Sequence, residues 1–254
     1  MARTANPALN KNTFLDFPAT AGSPVMTLSG TVNKIAIMLL LVLAGAIYTW
    51  RLAFEVLEAD PQLANRTILP WMIVGGIGGF IVALITIFKK TAAPYTAPLY
   101  AMLEGLFLGG ISAFFEYRYP GIVVNAVVLT FGILFALLIA YKSGLIKPTE
   151  NFKLGVVAAT GGVAMLYFIS FILNMFGVGV GYLHNSSLLS IGISVVIIII
   201  AALNLVLDFD FIEQGAASSA PKYMEWYAAF GLIVTLVWLY LEILRLLSKL
   251  ASRN

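Results

Sequence analysis

SIGISVVIIIIAALNLVLDFDFIEQGAASSAPKYMEWYAAFGLIVTLVWLYLEILRLLSKL, from Ser190 to Leu250, holds two apolar runs, and reading them decides the fold. Each is long enough to cross a bilayer, which takes about 20 residues in a helix. Between them lie Asp208-Phe209-Asp210 and then Glu213. Carboxylates at the edge of hydrocarbon are costly, so a chain that keeps them there is expected to use them. On a helix, positions i and i+2 point apart. One aspartate is therefore expected to face the bundle and the other the head groups. Asp208 is the better inward candidate, because Asn204 at i,i+4 extends its polar stripe.

Composition extends this reading to the whole chain. Of 254 residues, 61% are hydrophobic and 11% charged, and the mean hydropathy is +0.96. A soluble domain carries about 25% charged residues. The expectation is an all-α integral membrane protein with seven transmembrane helices in one domain, 34–250, behind a polar arm, 1–33. The partner implied first is the lipid bilayer. The net charge is +3, with basic residues scattered at segment ends, which gives no support for nucleic-acid binding. The absence of cysteine excludes disulfides, thiol catalysis and thiolate metal sites, and a single histidine excludes a multi-histidine metal site within the chain.

The spans are expected at about 35–57, 68–88, 97–115, 122–141, 154–176, 188–207 and 226–247. The arm reads first as an exposed tail, with a contact of Phe14 and Phe17 at the membrane surface as the alternative, and a secretory signal peptide would put its apolar core nearer the start. Arg51 and Glu55 share a face at the end of the first span. Gly75/Gly79 in the second span and Gly105/Gly109 in the third are small-xxx-small faces for close helix contact. Glu104 lies about 10 Å inside the third span at 1.5 Å per residue. A carboxylate at that depth is neutral, paired or in a wet cavity. His184 sits in a Gly/Asn/Ser-rich loop and reads as an ordinary exposed residue. In the last span, Trp226, Tyr227, Trp238 and Tyr240 read as amphipathic anchors, Thr235 lies near mid-depth, and Glu242 and Arg245 are spaced to pair.

Arg3, Lys11 and Lys34, then Lys89 and Lys90, then Lys142, Lys147 and Lys153 all fall on one face if the N-terminus is cytoplasmic. The tail, with Arg245, Lys249 and Arg253, falls on the other face and departs from the rule.

These residues carry a family likeness. Leu207-Asp208-Phe209-Asp210-Phe211-Ile212, Leu244-Arg245-Leu246-Leu247 and Leu103-Glu104-Gly105-Leu106 together resemble the Bax inhibitor-1 family of transmembrane Bax-inhibitor-motif proteins. Leu28-Ser29-Gly30-Thr31-Val32-Asn33-Lys34 is similar to a bacterial subgroup with an extended arm. The resemblance implies seven helices with the last one central, a bacterial plasma membrane, and a proton-sensitive calcium leak. It implies a pair of aspartates on the last two helices that share a proton, at the positions of Asp208 and Thr235. The second carboxylate is missing here. It also implies a basic latch onto the sixth-helix aspartate, in the place of Lys89 and Lys90.

The expected function is a pH-modulated calcium leak or cation pathway. Hard cations prefer oxygen ligands, which Asp208, Asp210, Glu104, Asn204 and Thr235 supply. Asp208 and Asp210 are the candidate metal contacts, holding calcium only transiently, with no tightly bound cofactor. The alternative is a non-transporting scaffold or regulator that captures a membrane-protein partner through Gly75/Gly79 or the arm. An enzyme is not expected: HExxH and GxSxG are both absent, and Thr235 breaks an aspartyl dyad. Seven spans with no visible repeat give little support to a secondary transporter.

Overall fold

The computed structural model describes residues 24–57, 61–177 and 187–253. Phe14, Phe17 and His184 lie outside the described residues. Seven α-helices make up nearly all of the rest: α1 (Leu28–Leu57), α2 (Pro61–Phe88), α3 (Ala93–Arg118), α4 (Ile122–Lys142), α5 (Glu150–Met175), α6 (Leu188–Ala217) and α7 (Met224–Ala251). Each is long and apolar enough to cross a membrane, so the chain has the all-α, seven-span architecture its composition predicts. The helices outrun the apolar cores, because polar turns at a membrane edge continue a helix. Thus α1 starts at Leu28, inside the polar arm, and α6 runs through Asp208-Phe209-Asp210 to Ala217.

Local chemistry sets the ends. Thr149 caps α5, its hydroxyl accepting from the Phe152 N–H at 3.3 Å. Glu116, near the end of α3, accepts from the N–H groups of Gly121 and Val123 at 2.5 and 3.0 Å. It thereby satisfies two orphan donors at the start of α4. Gly121 turns the chain there at φ +86°, a conformation that favours glycine.

The described residues divide into two compact units. One holds α1, α2 and α3 with residues 212–234, and glycine organises it. A Cβ on Gly45 of α1 would sit 2.6 Å from the Met102 carbonyl of α3, and Cβ atoms on Gly105 and Gly109 would overlap the backbone of Val42 and Ala46. The second interface is alike: a Cβ on Gly75 of α2 would lie 2.5 Å from the Leu103 carbonyl. Lipid tails are as apolar as leucine, so helices in a bilayer gain from close van der Waals approach rather than from burial. The Thr86 hydroxyl meets the Thr96 hydroxyl at 2.8 Å and ties α2 to α3. Since α3 fills the Gly75/Gly79 face, that face is not an open surface for a partner.

The other unit holds α4, α5, α6 to residue 211, and α7 from residue 235. Helix α7 contributes to both units, and side chains along it such as Phe230, Leu239 and Leu244 are buried. Tyr227 is accordingly 0% exposed, a correction to its reading as a head-group anchor. The other helices keep apolar side chains such as Phe80, Ile139 and Phe168 exposed, as a lipid-facing surface requires. The segment ahead of α1 meets the turn after α6, where Lys222 N donates to the Pro24 carbonyl at 3.0 Å. Six crossings between them place those two segments on one side of a membrane.

Candidate functional site

The polar side chains of α5, α6 and α7 within the second unit fall into line. Near one end, Lys249 of α7 donates to the Ser194 hydroxyl at 2.8 Å and to the Ser190 carbonyl at 3.3 Å. Next, Glu242 accepts from the Tyr167 hydroxyl at 2.6 Å and pairs with Arg245 at 3.1 Å, and Arg245 also donates to Tyr167. Farther along, the Asn204 amide donates to the Thr160 hydroxyl and to the Ile200 carbonyl, each at 2.8 Å. One turn beyond Asn204 is Asp208, 1% exposed. Last comes Asp210, paired with Lys153 of α5 at 2.6 Å.

The registers agree with one another. Lys153 against Asp210 and Thr160 against Asn204 make α5 and α6 antiparallel. Tyr167 against Glu242 and Lys249 against Ser190 and Ser194 fix α7 beside them. This register brings Thr235, 4% exposed, level with Thr160 and Asn204. From Ser190 to Asp210 the column runs about 30 Å at 1.5 Å per residue, about the thickness of the hydrocarbon core.

Two expectations need correcting. Asp210 does not face the head groups; it is 8% exposed. Lys153 is not a loop charge: it lies in the first turn of α5, and its side chain is 5% exposed. One fact explains both. A buried carboxylate is costly alone, and a lysine stem entering from the helix start delivers the counter-charge. Lys153 thereby engages Oδ2 of the Asp210 carboxylate. Among the described residues, no three His, Cys, Asp or Glu side chains gather into a metal cage.

The remaining candidates lie in the first unit. Glu104 is half-buried at the middle of α3, and a Cβ on Gly79 would approach its Oε2 to 3.1 Å, so glycine there makes room for the carboxyl group. Lys89 precedes the 3-10 turn Lys90–Ala92 that leads into α3. Arg51 and Glu55 are both exposed. Sequence reasoning missed Lys153, Thr160, Tyr167 and Lys249. The spacings that carry them, such as 167 to 242, are set by packing and leave no local signal.

The family model described as Bax inhibitor 1 like matches residues 6–252. Comparison with curated proteins and with solved structures gives no match.

Proposed function

The chain belongs to the Bax inhibitor 1 like family, and from that premise we propose that it is a cation leak pathway that favours calcium and responds to pH. The observation that carries the reading is the buried polar column on α5, α6 and α7. Ionisable groups inside a membrane protein are rare, face protein interior or water, and mark ion or proton paths. Here Lys153, Asp208, Asp210, Glu242 and Lys249 are all at most 8% exposed. Asp208 is the residue on which a permeating cation would depend. Its oxygen chemistry, with the oxygen of Asn204 one turn away, suits a hard cation. Thr235 brings a hydroxyl rather than a second acid to that level. The charge balance is instead set between α5 and α6, with Asp210 held by Lys153.

Calcium flux into liposomes holding the purified chain, measured across pH, tests this. Asp208→Asn is expected to lower flux roughly tenfold or more, equivalent to about 1.4 kcal/mol of lost cation stabilisation. Wild-type flux no greater than that of empty vesicles would refute the pathway, and a steep pH response that survives Asp208→Asn would refute the role of Asp208.

A second reading, a non-transporting partner of another membrane protein, has one observation in its favour. Cβ atoms at Gly132, Gly155, Gly161, Gly162 and Gly192 would meet nothing within 4 Å, so α4, α5 and α6 carry open small-residue positions of the kind that admit another helix. Stoichiometric co-purification of a partner without calcium flux would favour this reading.

A further inference from the structure

The segment ahead of α1 is built into the turn between α6 and α7. Val25 and Pro221 form an antiparallel bridge. On either side of it, Met26 N donates to the Ala220 carbonyl at 2.7 Å and Lys222 N to the Pro24 carbonyl at 3.0 Å. Glu225, in the first turn of α7, closes the contact. Its side chain is fully buried, and its Oε1 accepts from Thr27 N at 3.0 Å, from the Thr27 hydroxyl at 2.9 Å and from Lys222 Nζ at 2.8 Å. Gly30 leaves the space the carboxylate fills, since a Cβ there would overlap it. Lys34 lies over the Trp226 ring at 5.2 Å, and Met26 is 2% exposed. The carboxylate also sits at a helix N-terminus, where negative charge is favoured.

A connecting turn does not need a buried carboxylate two of whose three donors, the Thr27 N–H and hydroxyl, come from 198 positions away. We propose that residues 24–31 are a strap that holds the α6–α7 turn closed, and that its release regulates the chain. The proposal rests on the reading of α6 and α7 as pathway helices. The strap binds the turn that joins the helix of Asp208 to the helix of Thr235. Whatever draws the arm away frees that turn.

The bridge supplies its own test. The two flanking hydrogen bonds make Val25 and Pro221 a narrow, non-hydrogen-bonded pair, about 4.5 Å between Cα atoms. That separation suits a disulfide, which spans about 4.4–6.8 Å, and the native chain has no cysteine to interfere. The full-length double variant Val25→Cys/Pro221→Cys would be reconstituted in liposomes, and calcium flux read in the oxidised and reduced states. Hydrogen exchange at the Met26 and Lys222 amides would be followed in wild type, Thr27→Val and Glu225→Gln.

The strap predicts flux several-fold lower when oxidised and restored by reductant. It also predicts faster exchange at both amides in Thr27→Val and in Glu225→Gln, with raised flux. Complete cross-linking that leaves flux unchanged, in a protein whose wild type conducts, overturns the proposal. If wild type does not conduct, the pathway reading falls, and unchanged exchange in Thr27→Val overturns the strap separately. Thr27→Val keeps that arm decisive if Glu225→Gln does not fold.

Discussion

Removing one partner of the Lys153–Asp210 pair leaves the other charge buried. The two side chains are 5% and 12% exposed and 2.6 Å apart, so water cannot substitute for the lost partner. Breaking such a pair from one side costs about 3–5 kcal/mol, whereas replacing both partners with apolar groups is often neutral. Lys153→Met is therefore expected to lower the thermal midpoint in detergent by many degrees, and Lys153→Met/Asp210→Leu to recover most of the loss. If the single variant melts like wild type, the pair does not stabilise the fold. The same residues mark what was legible. Asp208 and Asn204 stand out because acid and amide at i,i+4 in an apolar run violate its composition. Lys153 did not, because a lysine between a basic loop and an apolar run looks like any membrane flank. Its partner is 57 positions away, and only the packing of α5 on α6 brings the two together.

At the scale of elements, glycines of identical appearance in the sequence have opposite structural standing. Gly105 and Gly109 let α1 and α3 touch backbone to backbone, while Gly161 and Gly162 on α5 face open space. A side chain on Gly109 would collide with the Ala46 backbone and the Thr49 hydroxyl, and backbone cannot step aside as a flexible side chain does. Gly109→Val is expected to abolish folded protein in size-exclusion chromatography. Gly161→Ala is expected to be neutral or to stabilise by about 0.4–1 kcal/mol, by restricting the unfolded chain. Destabilisation by Gly161→Ala comparable to that of Gly109→Val would mean α5 is covered by a helix from elsewhere. Small-xxx-small spacing in the sequence identified Gly105/Gly109 and Gly75/Gly79 as contact faces. It left Gly45, the third glycine of the α1–α3 contact, unmarked, although Thr49 and Ala53 continue its small-residue face at i+4 and i+8. Helix existence was legible throughout, since apolar runs of this length have one solution in a bilayer. The ends were less so, because hydropathy falls off before the hydrogen-bonded spiral does.

For the whole molecule, the parity of the crossings and the positions of the cations make one argument. The contact of the α1 leader with the α6–α7 turn places the N-terminal side and that turn together. Counting on through α7 puts the C-terminus opposite. The rule that cytoplasmic loops are richer in lysine and arginine then predicts a cytoplasmic N-terminal side. Lys142 and Lys147, exposed between α4 and α5, fall on the N-terminal side. The cationic tail that seemed to contradict the rule is partly neutralised within the fold. Lys249 is 5% exposed and bound to Ser190 and Ser194, and Arg245 is paired with Glu242. Arg245, its side chain 41% exposed, and Arg253 remain at the surface. Single cysteines introduced into this cysteine-free chain check the assignment. Ser143→Cys, in the exposed α4–α5 loop, and Ser252→Cys, exposed past α7, are expected to label from opposite sides with an impermeant maleimide in intact cells. Ser252→Cys should react from outside, and Ser143→Cys only after lysis. Labelling of both from one side would mean an even number of crossings, and a helix lying in the membrane surface in place of one of the seven spans.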